Sequence, residues 1–114
     1  MGNCKYKYLI TKNKNGFMFG LYPNNSNRQY MIVSEEYNTK EEVVEALKLF
    51  KCFVEKNINN MSVVNITQKD NRYTFAFEDK ENNKIYSHFR WYDTKVNCNK
   101  GVTRIFENYD AEIK

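Results

Sequence analysis

Proline and glycine are scarce in this sequence, with one proline and four glycines among 114 residues. Interdomain linkers are usually rich in one of these residues or in serine, so nothing in the composition divides the chain. No apolar run approaches the about 20 residues that span a membrane. The first ten residues, MGNCKYKYLI, also lack the apolar stretch of a secretory signal. We therefore expect a cytoplasmic protein that makes no membrane contact.

Residues that bind metals or act as nucleophiles are also few. The three cysteines, Cys4, Cys52 and Cys98, include no CxxC pair, and His88 is the single histidine. Such a set is a poor basis for disulfides or for a zinc site, so we expect reduced thiols, no metal and no cofactor. No glycine-rich phosphate loop and no assignable acid–base carboxylate pair is present. We predict a protein that is not an enzyme.

The sequence does contain enough apolar material for a folded domain, with 41% hydrophobic and 16% aromatic residues. A chain of this length buries roughly two thirds of the surface that it exposes when unfolded. We expect residues 1–114 to form a single domain. The formal net charge of +4 is only mildly basic, which permits nucleic-acid binding without indicating it.

A short motif occurs twice, 55 residues apart: YNTK at residues 37–40 and YDTK at residues 92–95. Apolar residues follow each copy with the i, i+4, i+7, i+11 spacing of one helix face. They are Val43, Leu47, Phe50 and Val54 after the first copy, and Cys98, Val102, Ile105 and Tyr109 after the second. Upstream of these helices, two segments that lie 56 residues apart show the two-residue period of β-strands. Their alternating residues are Phe17, Phe19 and Leu21, and then Tyr73, Phe75 and Phe77.

These matches follow structural periods, so we interpret them as a tandem duplication with repeats at residues 6–56 and 62–114. Each repeat reads as three strands followed by a helix, and Asn15-Gly16 marks a hairpin between the first two strands. The third strands are predicted at residues 29–37, QYMIVSEEY, and at residues 84–92, KIYSHFRWY. Thr39 with Glu42 forms a capping box, whereas Thr94 with Asn97 is a weaker helix start. The predicted fold is α+β: a duplicated βββα(β) unit that forms one antiparallel sheet with two helices packed on one face.

The repeat unit resembles the YegP-like repeat, a small bacterial domain family with no assigned biochemical role. The resemblance rests on an aromatic strand, a Ser-Glu-x-Tyr-x-Thr-Lys step into the helix, and a small residue followed by an aliphatic one within it. In the first copy these are Phe17, Phe19 and Leu21; Ser34, Glu35, Tyr37, Thr39 and Lys40; and Ala46 with Leu47. In the second copy they are Tyr73, Phe75 and Phe77; Tyr92, Thr94 and Lys95; and the helix start CNKGV, followed by the tail YDAEI.

The resemblance implies a fourth, C-terminal strand in each unit that is exchanged between the copies, for which MSVVNIT and AEIK are the available segments. The second copy departs from the pattern in two places. Phe89 and Arg90 replace the Ser-Glu step, and the hairpin has Asn71-Arg72 where the family has Asn-Gly. The family provides no catalytic residues to carry over.

Two side chains could support chemistry, and each has a simpler structural explanation. His88 is expected on the third strand of the second repeat, on a face shared with Tyr86, Arg90 and Tyr92, and it lacks a partner at catalytic or ligand spacing. Cys98 opens a helix, where the dipole lowers a thiol pKa, yet it occupies the buried stripe. We expect a structural histidine and a core thiol, and we extend the same caution to Cys52.

The best candidate interaction surface comprises Tyr86, Arg90 and Trp91, where aromatic and cationic groups come together outside the helices. Such groups are enriched at protein interfaces. The first repeat has Glu36 in the place of Trp91, so the fold itself does not require a large apolar group there. We predict a non-enzymatic module, monomer or dimer, that binds an unknown protein partner or itself.

The alternative is a weak nucleic-acid-binding protein that uses a basic sheet edge. Lys5, Lys7, Lys12, Lys14 and Arg28 would supply the positive charge, although scattered lysines also protect edge strands from aggregation. The strand KNGFMFGLY resembles an RNA-recognition strand, whose aromatic residues stack on bases. Phe17 and Phe19 share a face with Leu21, however, so we expect these rings to lie beneath a helix.

Overall fold

The chain folds as one antiparallel sheet of six strands with two α-helices. The computed structural model describes residues 5–88 and 90–114, so Cys4 and Phe89 lie outside the described residues. The strands are β1 (Tyr6–Asn13), β2 (Gly16–Pro23), β3 (Ile32–Val33), β4 (Val64–Lys69), β5 (Arg72–Asp79) and β6 (Lys84–Ser87). The helices are α1 (Lys40–Lys56) and α2 (Lys95–Asn108), and a single 3₁₀ turn covers Met61–Val63.

The strands lie in the order β1-β2-β3-β6-β5-β4. The first three strands and the last three therefore occupy opposite halves of the sheet, and the halves join where Val33 of β3 pairs with Ser87 of β6. Each half has three strands followed by a helix. The predicted α+β class and the single antiparallel sheet are confirmed.

Alternation along the strands sends one set of side chains towards the helices. Phe19 and Leu21 of β2 and Phe75 and Phe77 of β5 are at most 2% exposed, and the intervening residues face away. The predicted helical stripes join them in one buried cluster, except that Tyr109 follows the end of α2 and is only partly buried. This cluster draws residues from both α1 and α2, so both helices pack on the same face of the sheet, as the sequence predicts. Its helical members are Val43, Ala46, Leu47, Phe50, Phe53, Val54, Cys98, Val102, Ile105 and Phe106.

Both helices begin at the predicted threonines. Thr39 Oγ1 accepts the amide of Glu42 (3.2 Å), and Glu42 Oε1 accepts the amide of Thr39 (3.0 Å), which completes the capping box. Thr94 Oγ1 accepts the amide of Asn97 at 3.1 Å. Helix α2 has no acidic residue in its first turn, so its start is the weaker of the two, as predicted.

The two hairpins reverse direction by different turns. In the first hairpin, the first residue of β2, Gly16, has a positive φ of 138°, whereas the preceding residue, Asn15, does not have a positive φ. In the second, Asp70 (φ 50°) and Asn71 (φ 67°) both have positive φ, as a type I′ loop requires. A type I′ loop leaves the next position with ordinary strand geometry, so Arg72 replaces glycine there without strain.

The third strand of each half is shorter than the sequence predicts. The predicted strand at residues 29–37 consists of β3 and a separate bridge between Phe17 and Tyr37. The predicted strand at residues 84–92 likewise consists of β6 and a bridge between Tyr73 and Tyr92. The chain leaves the sheet between each strand and its bridge, which exposes residues 35–36 and 90–91.

The exchanged fourth strand is present in reduced form at one end of the sheet. The amide of Tyr8 donates to the Glu112 carbonyl (2.8 Å), and the amide of Lys114 donates to the Tyr8 carbonyl (2.9 Å). These bonds form a parallel bridge between Tyr8 and Ile113. After α1, by contrast, the chain makes the 3₁₀ turn at Met61–Val63 and then enters β4. Among the described residues, neither helix is long and apolar enough to cross a membrane.

Candidate interaction surface

One of the three residues predicted for the interaction surface lies in the core. Tyr86 is 0% exposed, and its ring centroid lies 4.5 Å from that of Phe50 on α1. It pairs with Phe77 across the sheet, so alternation directs it towards the helices. Burial raises the pKa of the Tyr86 hydroxyl far above its usual value. Tyr86 cannot be part of a contact surface, and that prediction is corrected here.

Arg90 and Trp91 are exposed, in a segment that has one residue more than its counterpart. The amide of Ser34 donates to the Phe19 carbonyl (2.9 Å), and the amide of His88 donates to the Phe75 carbonyl (3.1 Å). His88 therefore occupies the place of Ser34, which corrects the sequence match of Phe89 to Ser34. Two residues separate Ser34 from Tyr37, whereas three separate His88 from Tyr92.

Trp91 borders a surface cavity of about 380 Å³ at the hairpin end of β4 and β5. The other lining residues are Lys69, Asp70 and Arg72. Lys69 and Arg72 pair across the hairpin, and they alternate with Gln68 and Tyr73, so they face away from the helices. Trp91 is 41% exposed, which leaves much of its indole accessible. We call the group formed by Lys69, Arg72, Arg90 and Trp91 the Trp91 surface.

The corresponding place in the first half has the opposite character. There the hairpin closes through Asn13 and Gly16, and the Asn13 side chain donates to Glu36 Oε2 at 2.6 Å. The polar atoms at that end satisfy one another and leave an acidic group. The second half has Lys69, Arg72 and Trp91 at these positions instead. The first half of the sheet is thus built without a counterpart of the Trp91 surface.

The cations of the Trp91 surface have no carboxylate partner. Within residues 5–88 and 90–114, a single ion pair is present, between Lys114 and Glu112 (3.9 Å). Asp70 lines the same cavity but makes no ion pair with Lys69 or Arg72. Two cations, Lys69 and Arg72, and one carboxylate, Asp70, line the cavity beside the accessible indole, so the local charge is positive.

His88 lies directly beneath this segment and is 5% exposed. Its ring stacks on Phe75 (4.6 Å between centroids, 7° between planes) and on Tyr92 (5.1 Å, 7°). Its Nδ1 is hydrogen-bonded to the Met31 carbonyl, so Nδ1 carries the proton of a neutral ring. Burial lowers the pKa of His88, and the Arg90 charge lowers it further. The buried Nε2 makes no hydrogen bond within the described part of the chain.

The two cysteines within residues 5–88 and 90–114 differ in their surroundings. Cys98 is fully buried on the inner face of α2, and burial raises the pKa of its thiol, which opposes the effect expected of a helix N-terminus. Cys52 is exposed on α1. The described residues contain no cluster of three or more His, Cys, Asp or Glu side chains that could hold a metal ion.

Several residues of the predicted basic edge already have contacts. The Lys7 ammonium donates to the Asn24 carbonyl (3.1 Å) and to Asn27 Oδ1 (2.6 Å). The Lys12 ammonium lies 5.7 Å from the centre of the Phe17 ring. Phe17 is half-buried, and Phe19 is fully buried beneath α1, as predicted. Phe19 is therefore not available to stack on bases.

Sequence reasoning missed Lys69 and Arg72. They lie about 20 residues before Trp91 along the chain, and only the bridge between Tyr73 and Tyr92 brings the two segments together. The sequence does contain a signal for them. Asp70 and Asn71 both favour positive φ, and the next position has Arg72 where the first hairpin has Gly16. That pattern indicates a type I′ loop with a cation beside it.

Comparison with solved structures shows a shared fold. The yegP protein of E. coli, described as a protein of unknown function, superposes with a TM-score of 0.70 at 18% identity. The UPF0339 protein SO3888 of Shewanella oneidensis superposes with a TM-score of 0.68, also at 18% identity. Each alignment covers 96% of this chain and 90% of the other. No protein-family model and no curated protein sequence matches the chain.

Proposed function

We propose that this protein is a non-enzymatic binding module that contacts an acidic protein partner through the Trp91 surface. The observation that carries the proposal is the contrast between the two hairpin ends. One end is closed by the hydrogen bond between Asn13 and Glu36, whereas the other presents an accessible indole beside unpaired cations. A difference that the fold does not need is best explained by a contact made on one side only.

The chemistry of the Trp91 surface supports a protein partner. Tryptophan and arginine are enriched among the residues that dominate binding energy, and a cavity beside Trp91 can receive a side chain of the partner. Lys69, Arg72 and Arg90 would attract acidic segments and speed their association.

The test is affinity capture from cell extract with the unaltered chain and with Trp91→Ala and Arg72→Glu variants. We expect both variants to lose a partner that the unaltered chain retains, with a loss equivalent to about 2 kcal/mol or more for a central tryptophan. Because Trp91 is the only tryptophan, its fluorescence then reports binding of the purified partner at this site alone.

Val96→Ala is the matched control, because Val96 is 64% exposed on α2 and its loss removes apolar surface elsewhere. Capture should survive this change. If the Trp91 and Arg72 variants retain every partner and the same oligomeric state, the Trp91 surface is not the binding site.

The non-enzymatic assignment is supported by the buried positions of Cys98 and His88. A thiol-reactivity profile tests it: Cys98 should react only after denaturation, whereas the exposed Cys52 should react in the native protein. Rapid native reaction of Cys98 would contradict the assignment. We also propose a cytoplasmic location in a bacterium, which rests on the unpaired thiols of Cys52 and Cys98 and on the resemblance to a bacterial family.

The alternative function is weak nucleic-acid binding along the basic edge formed by β1. The contacts of Lys7 and Lys12 hold these ammonium groups against the protein and make them less available to phosphates, so we rank it second. Gel shifts across a salt series test it, because phosphate contacts give an affinity that falls steeply with salt. Binding that is absent, or that does not depend on salt, removes this alternative.

We also propose that the two halves arose by tandem duplication. Equivalent contacts support this view: Phe17 exchanges backbone bonds with Tyr37 as Tyr73 does with Tyr92, and threonine caps both helices. Small residues, Ala46 and Gly101, are buried at matching places in the two helices. A chain built from two copies of residues 6–60 tests the proposal and should form a six-stranded sheet.

A further inference from the structure

The two edges of the sheet are finished differently. At the β1 edge, the backbone of Tyr8 exchanges hydrogen bonds with residues 112 and 114. At the β4 edge, the described residues offer no equivalent segment, because the chain after α1 forms the 3₁₀ turn and enters β4 itself. The amide of Val64 donates to the Met61 carbonyl of that turn. Beyond Val64, the outer side of β4 has no backbone partner within residues 5–88 and 90–114.

The hairpin geometry identifies which backbone groups point outwards. A two-residue type I′ loop makes Lys69 and Arg72 a hydrogen-bonded pair, and hydrogen-bonded and non-bonded pairs then alternate along the strands. Ile66 and Gln68 are therefore non-bonded towards β5. The opposite side of the hairpin agrees: Tyr73, the partner of Gln68, exchanges its backbone bonds with Tyr92 instead. The amides and carbonyls of Ile66 and Gln68 thus point away from the sheet.

Strand β4 has little that usually protects an edge, because its single lysine, Lys69, is its last residue. Natural edge strands carry lysine, proline, a bulge or a covering segment. Residues 64–68, VNITQ, contain neither a charge nor a proline, and the pairing with β5 is regular from Val64 to Lys69. The β1 edge has Lys7, Lys12 and the C-terminal residues. The open backbone groups of β4 are therefore free to pair with another strand.

We propose that two copies of this chain associate through antiparallel pairing of their β4 strands, which joins the two sheets into one of twelve strands. A two-fold axis at Ile66 places Ile66 opposite its own copy, Asn65 opposite Thr67, and Val64 opposite Gln68. No like charges face each other, because Lys69 falls opposite Val63. Ile66 is half-buried against the core, so its copies meet on the helix-bearing face and extend the apolar interior. Lys69 is the one residue of the Trp91 surface that borders this pairing; Arg72, Arg90 and Trp91 lie outside β4.

Sedimentation velocity and amide hydrogen exchange over a range of protein concentrations test the inference. We expect the mass to double as concentration rises, and exchange at the Ile66 and Gln68 amides to slow over the same range. The exchange measurement uses the unaltered chain, so it does not depend on how well a variant folds. A monomeric mass at every concentration, or unchanged exchange at both amides, would overturn the proposal.

Gln68→Pro is the sharpest variant, because it removes an outward amide on an exposed residue without touching the bonds to β5. It should remain monomeric. Lys12→Pro is the matched control at the β1 edge, where the same alternation points the amide outwards, and it should still dimerise. Trp91→Ala should dimerise as well, so loss of partner binding and loss of association can be told apart. Dimerisation of Gln68→Pro with undiminished affinity would contradict β4 pairing.

Discussion

At the scale of single residues, His88 shows how a group with catalytic potential can serve structure. Stacking on Phe75 and Tyr92 and the bond to the Met31 carbonyl fix its ring. The Met31 contact comes from the first half of the chain, so His88 also ties the halves together. Its charged form would be buried without a carboxylate partner, which is costly.

This burial predicts that His88 makes stability depend on pH. Its pKa is lowered in the folded protein, so between that value and about 6.5 the unfolded state binds more protons. The stabilisation that depends on neutral His88 is therefore complete above about pH 6.5 and is lost as the pH falls towards the folded-state pKa. For a single proton the slope cannot exceed about 1.4 kcal/mol per pH unit. Urea denaturation between pH 7.5 and pH 5 measures it.

His88→Phe is the control for this prediction, because it retains a ring against Phe75 and Tyr92 but cannot titrate. Carboxylates elsewhere affect both proteins equally, so the difference between the two pH profiles isolates His88. At neutral pH the free energy of unfolding of the variant should be lower by about 1 kcal/mol, because the hydrogen bond to Met31 is lost. Its free energy of unfolding should also change less with pH. Parallel profiles would mean that His88 is not the source.

Gly101 provides a second test at the residue scale. A Cβ at this position would lie 2.3 Å from the Tyr92 hydroxyl oxygen and 2.9 Å from Cζ, and stacking on His88 restricts movement of that ring. We expect Gly101→Ala to destabilise the protein by about 1–3 kcal/mol, although alanine is the better helix former. Thermal and urea unfolding measure the change.

Tyr92→Phe should relieve part of this cost, because it removes the atom nearest to the new methyl group. In a double-mutant cycle, Gly101→Ala should therefore be less harmful in the Tyr92→Phe background than alone. Equal costs in both backgrounds would show that Tyr92 is not what requires glycine here.

At the scale of elements, the two helix starts form a natural comparison. Helix α1 has the full capping box, whereas α2 has the Thr94 cap without an acidic residue in its first turn. We expect Asn97→Glu to raise the free energy of unfolding by about 0.5 kcal/mol, because the carboxylate can reach the Thr94 amide and favours the positive helix end. The urea midpoint should rise at an unchanged slope.

Glu42→Ala is the reciprocal change, and it should destabilise α1 by a similar amount. Asn97→Glu made together with Thr94→Ala should lose much of its benefit, because half of the box is then missing. An Asn97→Glu protein with an unchanged or lower midpoint would contradict this account of the difference between the helices.

The elements that the sequence predicts correctly are those with a strong local period. The alternating residues of β2 and β5 and the stripes of α1 and α2 lie where the pattern places them. The prediction that Tyr86 lies on the surface is wrong. On a strand of four residues the sequence pattern does not show which face is buried, and only the pairing of Tyr86 with Phe77 settles it. The Trp91 surface was found only in part, because the approach of Lys69 and Arg72 depends on a bridge between distant segments.

At the scale of the whole molecule, aromatic rings join the halves more extensively than backbone pairing does. Strands β3 and β6 meet through a single residue pair. Phe50, by contrast, contacts Tyr8 and Phe19 from the first half and Phe77 and Tyr86 from the second, with centroid distances between 4.5 and 6.5 Å. The Tyr8 hydroxyl also donates to the Tyr109 carbonyl at 2.6 Å. One interior therefore serves both halves.

Because the interior is shared, removing its central ring should weaken both halves together. Phe50→Ala is expected to cost about 3–5 kcal/mol, and unfolding should remain a single transition by both circular dichroism and fluorescence of Trp91. In the milder Phe50→Leu variant, amide exchange should accelerate in β5 as much as in β2, although Phe50 belongs to the first half. Val96→Ala should change neither. If protection were lost in β2 while β5 kept its native exchange rates, the halves would be separate folding units, and the seam at Val33 and Ser87 would be a contact between two domains.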